Sequence, residues 1–303
     1  AAFQQLPRQT GRYESRAVIP TGVVGLGQMG QGIARRLDRA GLLCAAIDLD
    51  TERRAAAQLS DQVGTELNNA DVLVFVVPAT TQIADVLDMS PPRSGQVIVD
   101  LTTSHPEDST ALANRLRDQG IAYVDAAMTG GAAGADAGTL TLMMGGEADV
   151  IDRIAPVLDQ ISKERFHMGA VGTGHAMKLV HNLILHSAFM ATCEGLTLAA
   201  KAGLDVDRAV EVLNAGNARS FVTEVRFPRD ILGGVMNGRS RIANLEKDLG
   251  LARLFASALD GPSVYIDLTH DLLHQAVDTG AAETDFSHLF PMFEGLARRL
   301  TDE

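Results

Sequence analysis

The sequence predicts an α/β N-terminal half built on a doubly wound parallel sheet, then an all-α C-terminal half, joined by one long interdomain helix. Three observations carry this. Between Ala17 and about Met168, short apolar runs rich in β-branched residues alternate with amphipathic runs at helical spacing. After about Gly169 only helical periodicity remains. At the change stands Gly172–Gly195, "GTGHAMKLVHNLILHSAFMATCEG", which reads as one helix apolar almost all the way round. Such a helix is expected to be buried.

The strands follow in order. "VIPTGVVGLG" and "LLCAAIDLD" are the first two, and "DVLVFVVP", "GQVIVDLTT", "IAYVDAAM", "LTLMMGG" and "ERFHMG" complete the set. Helices are expected around residues 31–40, 51–59, 81–87, 106–119 and 149–161. Strands this apolar belong to a parallel sheet covered on both faces. In "SHPE", Ser104 fits an N-cap, Pro106 the first turn and Glu107 the far side of a capping box. The second half breaks at "KAGLDVD", "NAGN", "ILGGVMNGRSR" and "DGPS". This divides the chain into a flexible lead (1–17), an α/β domain (18–170) and an all-helical domain (171–303). The long helix is expected to serve both domains and to place a cleft at Lys178.

Composition narrows the classes of function. The 303 residues are 46% hydrophobic and 21% charged, ordinary for a soluble globular chain. A net charge of −12 argues against a nucleic-acid or anionic-membrane partner, and no uninterrupted apolar run reaches membrane-spanning length. A small anionic ligand stays compatible, because a few N–H groups and one cation can hold a carboxylate. The lead "AAFQQLPRQTGRYESRA" is too polar for a secretory signal. Cys44 and Cys193 lack metal-ligand spacing and read as reduced packing residues of a cytoplasmic protein.

"GLGQMG" (Gly25, Leu26, Gly27, Gln28, Met29, Gly30) lies directly after a strand and before a helix. The three glycines answer to a tight turn, room for a pyrophosphate and close helix–strand contact. The phosphate rests on the helix N-terminus, where unpaired N–H groups and the dipole attract it. Asp48 ends the second strand 18 residues after Gly30. Together they define a Rossmann-type dinucleotide site. A carboxylate at Asp48 can accept both ribose hydroxyls of NAD and would repel a 2′-phosphate, and Leu49 stands where NADP would favour arginine. NAD is therefore expected over NADP, with Arg53 and Arg54 read as surface charge.

Lys178 and Asn182 are i, i+4 and share a helical face. Lysine is rarely buried without need. A proton-transfer group beside an amide that orients the substrate is one reading; a snorkelling lysine and a bridging asparagine are the other. In "TGG", the Thr129 hydroxyl with the N–H groups of Gly130 and Gly131 could make an anion nest, or simply a flexible turn.

Six ordered segments add a resemblance: "GLGQMGQGIARRL", "DLTTSHP", "DAAMTGGAAGADAGTL", "GTGHAMKLVHN", "EGLTLAAKAGLD" and "KDLGLA". In these the chain resembles the β-hydroxyacid dehydrogenase family, which includes 3-hydroxyisobutyrate dehydrogenase and tartronate semialdehyde reductase. The resemblance implies an oxidoreductase that interconverts a short β-hydroxy acid and its semialdehyde, with Lys178 as general acid/base. It further implies that Pro78 lies beside the adenosine ribose, that Val77 is among the cofactor-binding residues and that Thr103 approaches the nicotinamide end. Thr129, Gly130, Gly131 and Asn182 would hold the substrate, and Lys247 would close over the nicotinamide from the helical domain. No metal is implied. A homodimer or homotetramer is, joined through helical domains rich in apolar faces.

Two departures stand out. Many relatives carry serine where Thr129 stands, and often a second asparagine where His181 stands. The segment "NGRSRIANLE" places Arg239 and Arg241 where relatives tend to show an aromatic residue, which leaves surface charge or a more anionic substrate open. His270, His274 and Asp278 share one helical face and read as solvated rather than metal-binding. His186 reads as a packing histidine, and Glu194 as needing a partner inside an apolar helix. Rival functions are an imine reductase, in which the position of Lys178 is usually taken by another residue, an NADPH-linked tartronate-semialdehyde or glyoxylate-type reductase, and a non-catalytic dinucleotide-binding module.

Overall fold

The computed structural model describes residues 18–302, so the expected lead over residues 1–17 lies outside the described residues. The chain divides into two compact units, the first ending at Lys178 and the second beginning at Leu179.

The first unit is built on a seven-stranded sheet: β1 (Thr21–Val24), β2 (Leu43–Ile47), β3 (Val72–Phe75), β4 (Val97–Asp100), β5 (Ala122–Thr129), β6 (Leu140–Gly145) and β7 (Ser162–Gly169). Helices α1 (Gln28–Arg39), α2 (Thr51–Ala56), α3 (Thr80–Met89), α4 (Pro106–Arg117), α5 (Gly131–Ala137), α6 (Ala148–Arg153) and α7 (Ala155–Ile161) connect them. The sheet order is β2-β1-β3-β4-β5-β6-β7. Successive residues of a strand serve opposite faces. Val72, Val74, Val97 and Val99 accordingly pack in one core cluster, with Ile33, Leu37 and Leu158. Leu73, Phe75 and Ile98 pack in the other, with Ile83 and Leu116. This two-sided burial is the doubly wound arrangement the apolar strands predict.

Three local expectations are corrected. The sheet is not wholly parallel, since β5 and β6 run antiparallel. Only residues 130–139 separate them, with the seven-residue α5 inside, and a parallel crossover needs a dozen or more residues. The helix expected over 149–161 is two helices broken at Ile154, with Pro156 in the first turn of the second. The N-cap of α4 is His105, whose ring accepts from the Glu107 N–H, not Ser104. The Ser104 hydroxyl is buried instead against the Thr80 N–H at 2.7 Å and the Thr102 hydroxyl at 2.9 Å.

The second unit is helical: the remainder of α8 (Thr173–Lys201), α9 (Val206–Ala215), a π-helical segment over Val222–Ile231, α10 (Ile242–Ala258), α11 (Val264–Ala276) and α12 (Leu289–Asp302). The predicted breaks fall between these elements. Pro228 lies inside the π-helical segment, where its missing N–H disfavours a regular α ladder. The core centres on Phe189, whose ring meets Phe286 edge-on at 5.3 Å and Phe227 at 5.8 Å. Gly238 lets the chain lie against Phe286, since a Cβ there would come within 2.0 Å of the ring.

α8 is not buried all round. Leu179, Phe189, Met190, Cys193 and Leu196 form its buried stripe, whereas Val180, Ile184 and Leu198 are exposed. Glu194 faces solvent and needs no buried partner. By length and apolar composition α8 is the one described helix that could cross a membrane, a test that the core helix of a soluble protein also passes.

Candidate active site

The glycine-rich turn joins β1 to α1, and its three glycines have three different surroundings. Gly25 has φ +94°, and a Cβ there would meet Val76 O at 2.4 Å. A Cβ on Gly30 would reach Gly25 O at 1.9 Å, so α1 can start this close to β1 only without one. Around Gly27 nothing lies within 4 Å of a would-be Cβ. Gly27 is the N-cap of α1 and no side chain caps that end. The first-turn N–H groups from Gln28 to Gly30 thus lack a side-chain acceptor, beside a residue with open space. That is the cradle a pyrophosphate requires.

Asp48 lies just past β2 with its side chain only 8% exposed. Oδ2 accepts from the Leu26 N–H at 2.6 Å and Oδ1 from the Asp50 N–H at 2.9 Å, so the carboxylate is tied to the phosphate turn. Arg53 reaches Asp50 at 3.3 Å and Asp48 at 4.0 Å from an exposed position. Arg54 is not free surface charge: it donates to the carbonyls of Ala46 and Val63 and staples β2 to the following loop. Val77 and Pro78 follow β3, half-buried and exposed respectively, and Thr103 is half-buried after β4.

β5 leads directly into Thr129, Gly130 and Gly131. Thr129 is its last residue, paired with Thr141 of β6. The next two residues have φ +123° and +64°, so the backbone swings its N–H groups round at the start of α5. Lys178, half-buried, donates from Nζ to Met128 O at 2.8 Å. The first unit therefore brings the amine to the strand residue just before the predicted carboxylate loop.

Behind that strand lies a fully buried polar network that sequence reasoning missed. Asp125 Oδ1 accepts from the Gly172 N–H at 2.7 Å and Oδ2 from the His175 N–H at 2.9 Å. Burial pushes the Asp125 carboxyl above the usual range, against the pull of His175 and the two N–H groups. Asp100 accepts from the Tyr123 hydroxyl at 2.6 Å, the Thr80 hydroxyl at 2.9 Å and the Thr102 N–H at 2.8 Å. Burial, then Asp100, push the Tyr123 hydroxyl well above its usual range. Ser109 Oγ bonds His175 Nδ1 at 2.6 Å. Asp100, Asp125 and His175 lie in the quoted segments "DLTTSHP", "DAAMTGGAAGADAGTL" and "GTGHAMKLVHN", but residues so far apart in sequence reveal no partner.

In the second unit Asn182, one turn beyond Lys178 along α8, is 2% exposed and donates from Nδ2 to Asp248 Oδ2 at 2.7 Å. Lys247 Nζ stands 3.4 Å from Asp248 Oδ1. Asp248, inside "KDLGLA", thus links two predicted site residues, a connection that spacing alone does not show. His181 is half-buried and His186 buried. Arg241 pairs with Glu283 at 2.8 Å on the surface, and Arg239 has φ +58° in the preceding loop. His274 and His270 face Glu246 at 3.3 and 3.6 Å. Among the described residues no group of three or more His, Cys, Asp or Glu could hold a metal ion.

Sheet topology, turn and tethered carboxylate define the first unit as a nicotinamide-dinucleotide-binding domain. Residues 20–169 match the family described as the NAD binding domain of 6-phosphogluconate dehydrogenase. Residues 172–293 match the one described as NAD-binding of NADP-dependent 3-hydroxyisobutyrate dehydrogenase. Over 249 residues the chain is 34% identical to 2-(hydroxymethyl)glutarate dehydrogenase of Eubacterium barkeri, covering 77% of this chain and 81% of that one. It is 29% identical to the NAD-dependent L-serine dehydrogenase of Pseudomonas aeruginosa, over 89% of this chain and 96% of the relative. The crystal structure of 3-hydroxyisobutyrate dehydrogenase from Salmonella typhimurium superposes with a TM-score of 0.80 at 27% identity, covering 90% of this chain and 99% of that one. The chain belongs to the β-hydroxyacid dehydrogenase family and is an NAD(P)-dependent oxidoreductase.

Proposed function

We propose that this dehydrogenase interconverts a short β-hydroxy acid and its semialdehyde, as 3-hydroxyisobutyrate dehydrogenase does, with Lys178 as general acid/base and NAD preferred over NADP. The observation that carries the reading is the hydrogen bond from Lys178 Nζ to Met128 O, which stations an amine beside Thr129–Gly130–Gly131. The names of the relatives, acting on hydroxymethylglutarate, serine and hydroxyisobutyrate, support a small hydroxy acid as substrate.

Bound at the turn, a nicotinamide dinucleotide supplies the hydride acceptor for oxidation and the donor for reduction. The chain supplies the rest. Leu26, Gln28 and Met29 present the turn, Asp48 holds the adenosine ribose, and Val77, Pro78, Thr103 and Lys247 complete the cofactor contacts. The Thr129 hydroxyl and the N–H groups of Gly130 and Gly131 hold the substrate carboxylate. Asn182 orients the substrate hydroxyl, its amide fixed by Asp248. A neutral Lys178 can keep donating one N–H to Met128 O while its lone pair accepts the hydroxyl proton in oxidation. In reduction the ammonium returns that proton to the carbonyl oxygen.

The preference for NAD rests on the Asp48 carboxylate, which would lie close to any 2′-phosphate. Arg53, within 4.0 Å of it, is the feature that favours the NADPH-linked alternative. Assembly as a homodimer or homotetramer through the helical unit is supported by its exposed Ile184, Leu198, Val212, Leu254 and Leu268. Two free cysteines suit a reducing, cytoplasmic compartment. The test is a panel of short β-hydroxy acids and semialdehydes, each assayed with both cofactors by absorbance of the reduced nicotinamide. Turnover confined to other substrate classes, such as cyclic imines, would overturn the proposal.

A further inference from the structure

We propose that Asp125 is a positioning residue for Lys178: its buried carboxylate moors the first turn of α8 to β5 and so sets where the amine stands relative to the Thr129–Gly131 loop. This rests on the reading of Lys178 as the proton-transfer group.

The geometry is a clamp with two jaws on one strand. At Asp125 the strand holds the N–H groups of Gly172 and His175, which open α8. At Met128 it holds the Lys178 ammonium. Asp125 to Met128 is three steps of strand, about 10 Å at 3.3 Å each. Gly172 to Lys178 is six steps of helix, about 9 Å at 1.5 Å each. The two spans are of similar length, so one stretch of β5 can hold both the helix start and the amine. Thr129 then follows Met128 at once, which makes β5 the shared ruler for the lysine and the loop.

The site is built around the carboxylate. A Cβ on Gly145 would stand 2.5 Å from Asp125 Oδ1, and one on Gly174 would stand 2.8 Å from Oδ2. Two glycines thus leave the space that lets the carboxylate reach the helix start. Asp125 is fully buried, so water cannot replace it as an acceptor. The first-turn N–H groups would lose their partner with the side chain, and the helix start would shift or fray. Asp125 touches no reacting atom in this scheme; it acts through the lysine.

The test is a double-mutant cycle on the full-length enzyme with its cofactor, using Asp125→Asn, Lys178→Ala and the double variant. Asn keeps the shape and one acceptor oxygen but turns an N–H donor toward the helix. Cofactor titration of each variant supplies the active fraction. Asp125→Asn is expected to lower kcat per active site on the order of 10- to 100-fold, the scale of a misplaced catalytic group. In the Lys178→Ala background the same change is expected to alter residual turnover by less than about twofold. If Asp125→Asn does not fold, Asp125→Ser, whose hydroxyl can still cap one N–H, carries the same comparison. A purely structural role would multiply the loss equally in both backgrounds, and that result overturns the proposal. So does a folded Asp125→Asn enzyme with unchanged kcat while Lys178→Ala is inactive, which removes the positioning role alone. Full turnover in Lys178→Ala removes the lysine's role itself and this inference with it.

Discussion

Asn182 donates its amide to Asp248 at 2.7 Å, joining a residue of α8 to one of α10 across 66 positions of sequence. An amide held by Nδ2 presents its carbonyl oxygen on the other side, so in the proposed role of Asn182 that oxygen is the end that would meet a substrate hydroxyl. Asp248→Ala should lower kcat/KM about 10- to 30-fold, equivalent to roughly 1.4–2 kcal/mol. Asp248→Asn, which retains an acceptor oxygen, should lose less. Steady-state kinetics decide it, and an alanine variant within twofold of wild type would show that Asn182 needs no such partner.

The tethered Asp48 leads to a prediction on cofactor choice. The kcat/KM with NAD should exceed that with NADP at least about tenfold, roughly 1.4 kcal/mol. Asp48→Asn should narrow the gap, because the side chain can still accept from the Leu26 N–H but no longer repels a phosphate. Equal use of the two cofactors by the wild type would contradict this role for Asp48.

Gly27 and Gly30 should behave oppositely. Gly27→Ala adds a methyl into open space and should leave the melting temperature within a few degrees while weakening dinucleotide binding. Gly30→Ala drives a methyl into Gly25 O and should destabilise the fold by more than about 2 kcal/mol. Thermal melts with and without cofactor separate the two outcomes. Equal destabilisation by both would mean that the turn is purely structural.

The exposed apolar stripe of the helical unit predicts association. Light scattering at micromolar protein should report a dimer or tetramer. An Ile184→Asp or Leu198→Asp variant should shift the mass downward if that stripe is the contact. A monomer at all concentrations would contradict it.

What could be read in advance follows from how local each signal is. The phosphate turn and Asp48 lie within one βαβ unit, and their spacing is a property of neighbouring residues. The halves were legible because strand and helix periods differ. Asp125, His175 and Asp248 were not, since their partners lie 47 to 66 positions away and a carboxylate in sequence looks the same whether it caps a helix or faces water. The antiparallel turn from β5 to β6 was missed because alternating apolar runs do not specify direction; only the shortness of the connection does. Glu194 and the exposed side of α8 were misjudged for a related reason. Apolarity all round shows that a helix can be buried, not what covers it.

The most direct measurement is the turnover of Lys178→Ala, alongside its cofactor affinity and thermal melt. The lysine stands at the end of the first unit, bonded to Met128 O, while the phosphate turn and Asp48 lie at the β1 and β2 ends of the same sheet. Turnover should fall on the order of 10²–10⁴-fold with dinucleotide binding and stability little changed. Lys178→Arg should fail nearly as badly, because a guanidinium does not give up its proton in the working range. In the wild type, oxidation needs the neutral amine and should rise with pH, and reduction needs the ammonium and should fall. A folded Lys178→Ala enzyme that binds cofactor and keeps most of its turnover would contradict the account.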